Sequence, residues 1–94
     1  MSKDSYKNMI ANKRKDIVSL RAKLVKIKDD KKRRMEALSK YIKSTSSASS
    51  KESYRKLKIS GSARYDREIE SLKMKVETAK RQIEQTKKTL ANLK

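Results

Sequence analysis

Apolar residues recur at alternating steps of four and three along most of this chain, and no proline interrupts them. One series runs Tyr6, Ile10, Lys13, Ile17, Leu20, Leu24, Ile27, Lys31, Arg34, Leu38, Tyr41. A second runs Tyr65, Ile69, Leu72, Val76, Ala79, Ile83, Thr86, Leu90, Leu93. A seven-residue repeat split this way puts one narrow apolar seam on a helix, and both runs exceed the roughly three to four heptads at which a coiled coil is the expected state. A disordered chain has no reason to hold such a register. The expected fold is therefore all-α: an antiparallel two-helix coiled-coil hairpin with a short central helix or loop, dimerising into a helical bundle.

Three segments make up this single expected domain: a basic heptad helix over 1–43, a Ser-rich turn with a short helix over 44–61, and a second heptad helix over 62–94. The run Ser44 to Ser50 holds six hydroxyl residues and one alanine, and such side chains compete for backbone hydrogen bonds and break helices. Ser49 and Glu52 have capping-box spacing, which predicts a short helix from Lys51 to Lys58, closed by Gly61 in a left-handed or turn conformation. Ser60 or Ser62 then caps the second helix. Asp66, Glu68 and Glu70 suit the positive end of its dipole, and Lys87, Lys88 and Lys94 the negative end. Two pairing registers satisfy this layout. One sets Tyr41 opposite Ile69, Leu38 opposite Leu72 and Ile17 opposite Leu93. The other, one heptad away, sets Ile10 opposite Leu93 and Leu24 opposite Ala79.

The chain carries 28 basic and 11 acidic residues, a formal net charge of +17, and they are unevenly placed. Residues 1–43 hold 15 basic and five acidic groups, 44–61 hold four and one, and 62–94 hold nine and five, giving nets of +10, +3 and +4. In the second helix Glu70, Glu77 and Glu84 each precede Lys73, Lys80 and Lys87 by three residues, the spacing of intrahelical ion pairs. The first helix instead aligns Lys7, Arg14, Arg21 and Lys28 at intervals of seven with no acidic stripe to match. It adds Lys31, Lys32, Arg33 and Arg34 downstream. Unanswered cations spaced along a helix suit the phosphates of a nucleic acid, whose displaced counterions supply the binding free energy. Arg55, Lys56 and Lys58 extend the candidate surface. Tyr54 among them either stacks on bases or packs on the hairpin. No base-reading motif is present, so the expected binding is without sequence specificity.

Cysteine and histidine are both absent, which removes the thiol nucleophile, the imidazole base and the usual zinc ligands. A two-helix seam this polar offers no enclosed pocket. The expectation is a non-enzymatic protein with no cofactor, no metal and no small-molecule substrate. No run approaches the roughly eighteen apolar residues a membrane span needs, and no apolar leader opens the chain, so the expected location is the cytoplasm. Beside the seam, Ala11, Val18, Ala22 and Val25 form a flanking apolar strip on the first helix. With the seam residues Ile10, Ile17 and Leu24, Val18 and Val25 make the expected interface with a second copy or a helical protein partner.

Ile59-Ser60-Gly61, followed by Ala63, Tyr65 and Asp66, stands where the Trp-x-Gly turn precedes the second helix in the small helical-hairpin partner proteins of type VII secretion, and the layout resembles that family. Isoleucine replaces the tryptophan, and Tyr65 is followed four residues on by Ile69 rather than by the acidic residue of a Tyr-x-x-x-Asp/Glu export signal. The resemblance implies a helper that binds an acidic helical protein and leaves the cell without a signal peptide. That is the alternative to the leading expectation, a basic coiled-coil protein that binds a polyanion, most readily nucleic acid.

Overall fold

The computed structural model describes residues 2–93, which form two α-helices, α1 from Lys3 to Ser44 and α2 from Ala48 to Ala91. The two pack against each other as an antiparallel hairpin, the all-α fold expected. Lys94, expected near the negative end of the second dipole, lies outside the described residues. A composition rich in Lys, Arg, Leu, Glu and Ala favours helix at nearly every position. At the start of α1 the Ser2 hydroxyl accepts from the Ser5 amide at 3.2 Å, and Asp4 in the first turn suits the positive end of the dipole.

The break is much shorter than the eighteen residues expected. Only Thr45, Ser46 and Ser47 separate the helices, and Ser47 starts α2: its hydroxyl accepts from the Ser50 amide at 3.3 Å and its carbonyl from the Lys51 amide at 3.0 Å. There is no separate central helix. Gly61 lies within α2 with no positive φ, and Ser60 and Ser62 are interior helical residues rather than caps. Asp66, Glu68 and Glu70 therefore sit mid-helix, and the first turn of α2 holds no acidic residue. Three hydroxyl residues suffice to turn the chain because one of them supplies the next cap. The remaining serines of the run are carried into helix by their neighbours.

An α2 that begins at 48 instead of 62 starts fourteen residues earlier, and the pairing moves two heptads from the first expected register and one from the second. Neither expected register is adopted. The chain forms two units, one joining the sequence up to Leu24 with the sequence from Ser71, the other running from Val25 to Glu70. In the second unit Lys31 bonds Asp66, Lys58 bonds Ser39, Tyr41 stacks on Tyr54, and Met35 meets Gly61. Each pair has residue numbers totalling 95 to 97. In the first unit Ile10 and Ile17 bury against Val76, Ala79 and Ile83, with Leu20, Leu24 and Leu90 packed alongside. Within this unit the buried residues of α1 thus lie against the stretch of α2 from Val76 to Ile83.

The seam in the second unit also departs from strict heptads. Arg34 and Tyr41 are exposed, while Met35 and Ile42 are half-buried and Leu38 between them is only 2% exposed. The covered positions of α1 thus run Ile27, Lys31, Met35, Leu38, Ile42, and those of α2 run Tyr54, Lys58, Gly61, Tyr65, Ile69. Two successive steps of four, 27–31–35 and 61–65–69, face each other in the observed register. A four-residue insertion of this kind relaxes the left-handed supercoil locally. Gly61 provides the room for Met35 there, since a Cβ built on it would stand 3.4 Å from the Met35 methyl.

That contact yields a stability test. Glycine inside a helix costs about 0.5–1 kcal/mol relative to alanine, and the atom a new methyl would meet is the free end of a flexible side chain. Gly61→Ala should therefore raise the melting temperature by a few degrees, roughly what up to 1 kcal/mol gives in a domain of this size. A fall in thermal denaturation followed by circular dichroism would show that Met35 cannot give way.

Candidate functional site

The antiparallel pairing of the two seams decides which cations share a face. In the first unit Ile10, Ile17 and Leu24 occupy a positions of α1 and Lys13 and Leu20 occupy d positions. In α2 Val76 and Ile83 are a, and Leu72, Ala79 and Thr86 are d. Lys7, Arg14 and Arg21 then fall at the e position of α1, and Lys73, Lys80 and Lys87 at the e position of α2. Antiparallel pairing brings the two e flanks together. Six cations line that side of the first unit, all on exposed residues. The opposite flank, formed by the g positions Met9, Asp16, Lys23, Lys75, Gln82 and Thr89, carries a net charge of only +1.

The expected ion pairs of α2 form in part: Lys80 reaches Glu77 at 3.5 Å and Lys87 reaches Glu84 at 3.6 Å. Among the described residues Glu70 and Lys73 are not within pairing distance. Both pairs formed are exposed, so each contributes little to stability and leaves its lysine free to exchange partners. Lys7, Arg14 and Arg21 have no acidic partner among the described residues. Lys28, the fourth member of the expected stripe, is exposed in the second unit and likewise has none. Like charges facing each other across the seam at about 8 Å repel by about 0.5 kcal/mol per pair in water before salt screening. The buried seam tolerates that.

Further along α1 the cluster from Lys31 to Arg34 is not free of internal partners, as it was expected to be. Lys31 is bonded to Asp66 across the hairpin, and Arg33 to Asp29 at 3.1 Å on its own helix. Lys32 and Arg34 are exposed without ion pairs among the described residues. Asp66 became available to Lys31 because α2 passes continuously through it, where the sequence had placed a helix start. The extra step of four from Lys31 to Met35 moves Arg34 out of the seam altogether.

Near the turn, Arg55 and Lys58 join Lys43 around an open apolar recess of about 390 Å³ lined by Ile42 and Ile59, and Lys58 donates to the Ser39 hydroxyl at 2.9 Å. Lys56 pairs with Glu52 at 3.6 Å. Tyr54 stacks on Tyr41 with ring centroids 5.4 Å apart and planes 23° from parallel, so of its two expected roles the geometry shows packing on the hairpin. Of the expected interface residues, Ile10 and Ile17 are 7% and 8% exposed in the chain's own core and Leu24 packs on it, so these three are not offered to a partner. Val18 and Val25 are 69% and 70% exposed, and Ala11 and Ala22 are exposed as well.

One group was missed in the sequence. Arg64, Tyr65 and Arg67 line a recess of about 360 Å³ in the second unit with Arg34, Leu57, Ser60 and Gly61. The spacing Leu57, Ser60, Arg64, Arg67 is a helical ridge, legible only once α2 is known to run through Gly61. No helix is long and apolar enough to cross a membrane, and no cluster of metal-ligating side chains occurs, among the described residues. No protein-family model, curated protein or solved structure matches the chain.

The Lys31 side chain is 30% exposed and that of Asp66 58%, so solvent weakens their attraction. A double-mutant cycle on Lys31→Met and Asp66→Asn should give a coupling of about 0.2–1 kcal/mol in chemical denaturation. A value near zero would mean that the bridge contributes nothing to holding the register.

Proposed function

We propose that this is a non-enzymatic coiled-coil hairpin that binds a polyanion, nucleic acid being the class it suits best, without reading sequence. The observation that carries the reading is the e-flank face of the first unit. There Lys7, Arg14 and Arg21 of α1 share a side with Lys73, Lys80 and Lys87 of α2, against two exposed glutamates, Glu77 and Glu84. Like charges along one side weaken a hairpin, and an anionic ligand turns that weakness into affinity. Residues one heptad apart on a helix stand about 10 Å from one another, which suits phosphates along a backbone rather than a single small anion. Lysine predominates over arginine on this face, consistent with diffuse phosphate contact and not with bidentate recognition of a base.

The face reading makes a sharper claim than the stripe on the first helix alone. Changing Lys73, Lys80 and Lys87 to Gln should weaken binding about as much as changing Lys7, Arg14 and Arg21 to Gln. Each set should reduce the slope of log affinity against log salt by about 0.7 to 0.9 per contact removed. The control is Lys15, Arg81 and Lys88 to Gln, which removes three exposed charges at outward f positions and should cost much less. Fluorescence anisotropy with random duplex and single-stranded oligonucleotides reads all three. Equal losses from every set would mean that binding follows total charge and that no face is a site. No binding near physiological salt would shift the reading to an acidic helical protein on the exposed strip of Ala11, Val18 and Ala22.

A further inference from the structure

The recess formed by Arg34, Arg64 and Arg67 differs in kind from the lysine-rich face. Arginine is the minority cation in this chain, eight against twenty lysines, yet three of the eight line one recess. None of the three has an acidic partner among the described residues, while their neighbours do: Lys31 holds Asp66 and Arg33 holds Asp29. The carboxylate that sits between Arg64 and Arg67 in sequence is thus already engaged. Arg64 is also pre-positioned, its guanidinium lying 5.7 Å from the centre of the Tyr65 ring, a cation–π contact that reduces the freedom lost on binding. Gly61 contributes no side chain to fill the space.

We propose that this recess binds a phosphomonoester, namely the terminal phosphate of a nucleic-acid strand. An internal phosphodiester carries one negative charge and two free oxygens. A monoester carries about −1.5 to −2 near neutral pH and offers three. Three guanidiniums, each a rigid fork of donors, match the second in charge and in number of acceptors, and arginine rather than lysine is what bidentate phosphate recognition requires. A recess of about 360 Å³ has room for the phosphate and leaves most of the nucleotide in solvent, in keeping with binding that does not depend on sequence. Choosing a nucleic-acid end over another phosphorylated ligand rests on the polyanion reading above.

The test uses the full chain and one oligonucleotide sequence made with a 5′-phosphate and with a 5′-hydroxyl, compared by fluorescence anisotropy at one salt concentration. The phosphorylated strand should bind about tenfold more tightly, the scale of one additional charge-assisted cluster. Arg64→Gln with Arg67→Gln should bring that ratio close to one, and circular dichroism checks that the helices persist. The triple change Arg34→Lys, Arg64→Lys and Arg67→Lys preserves charge and should also abolish the preference. If it keeps the preference, diffuse charge explains the effect and the guanidinium site is overturned. A ratio of one in the unaltered chain, with both strands bound, overturns the recess and leaves the polyanion reading standing. Failure of both strands to bind overturns both. A phosphoserine peptide bound more tightly than the phosphorylated strand overturns the choice of nucleic acid.

Discussion

The three-residue turn at Thr45, Ser46 and Ser47 determines the rest of the structure, because in an antiparallel hairpin the length of the connection sets the register. Ser47 both leaves the turn and caps α2, so helix resumes at once. Lengthening the connection by a heptad would still bring apolar positions together, since a heptad seam is self-similar. It would also rearrange every flank contact. Lys31 would lose Asp66, Tyr54 would lose Tyr41, and Met35 would face something bulkier than Gly61. Those second-unit contacts distinguish one register from its neighbours.

The run of two four-residue steps shows why those particular contacts are possible. Around Lys31 and Tyr65 both helices leave the strict heptad at the same level, so seam residues meet more directly than in ordinary layers. Large apolar side chains facing each other at all three of these levels would crowd the seam. The chain has instead Gly61 against Met35, and a lysine whose ammonium escapes sideways to Asp66 while its methylenes stay in the seam. Burial is correspondingly thin in this unit, with Leu38 and Ile69 its only buried apolar residues among those described. The departure from regularity lets glycine sit mid-helix without breaking it, and leaves beside it the space that the arginines line.

Much of the fold was legible in the sequence because a 4-3 pattern over many turns admits few states, and the seam in the first unit, from Ile10 to Leu24 and from Leu72 to Leu90, is the one the spacing predicts. What was not legible is instructive. Ser49-x-x-Glu52 and Ser60-Gly61-Ser62 have the local chemistry of a cap and a stop, yet both lie inside α2, where a half-buried Tyr54 and the Gly61 contact with Met35 outweigh propensity differences of about 1 kcal/mol or less. That difference in where α2 begins displaced the register by two heptads from one expected pairing and by one from the other. It hid the bridge of Lys31 to Asp66 and left Arg64 and Arg67 looking like residues of a helix end, whereas Arg34 and Tyr41 leave the seam because of the extra step of four from Lys31 to Met35 on α1. The stripe of Lys7, Arg14, Arg21 and Lys28 could be seen by counting sevens. Its lysine counterpart on α2 can be counted the same way, but which of these cations stand level with one another depends on the register of the pairing and not on either helix alone.

Charge and register therefore depend on one another. In the observed pairing, repulsion between Lys7, Arg14 and Arg21 and the lysines of α2 is confined to one exposed side, where water and salt screen it to about half a kcal/mol or less per pair. Burying one further isoleucine or leucine, on the order of 1.5–3 kcal/mol, exceeds the repulsion of several such pairs. A hairpin chosen for stability alone would place glutamates opposite the cations, and this chain does have glutamates to spare at Glu77 and Glu84, but they point along their own helix to Lys80 and Lys87. An exposed intrahelical pair neutralises charge only weakly and opens readily. The acidic residues thus moderate repulsion in the free protein without blocking the cations they accompany, which is the arrangement a surface needs if it is to stay folded alone and still attract a polyanion.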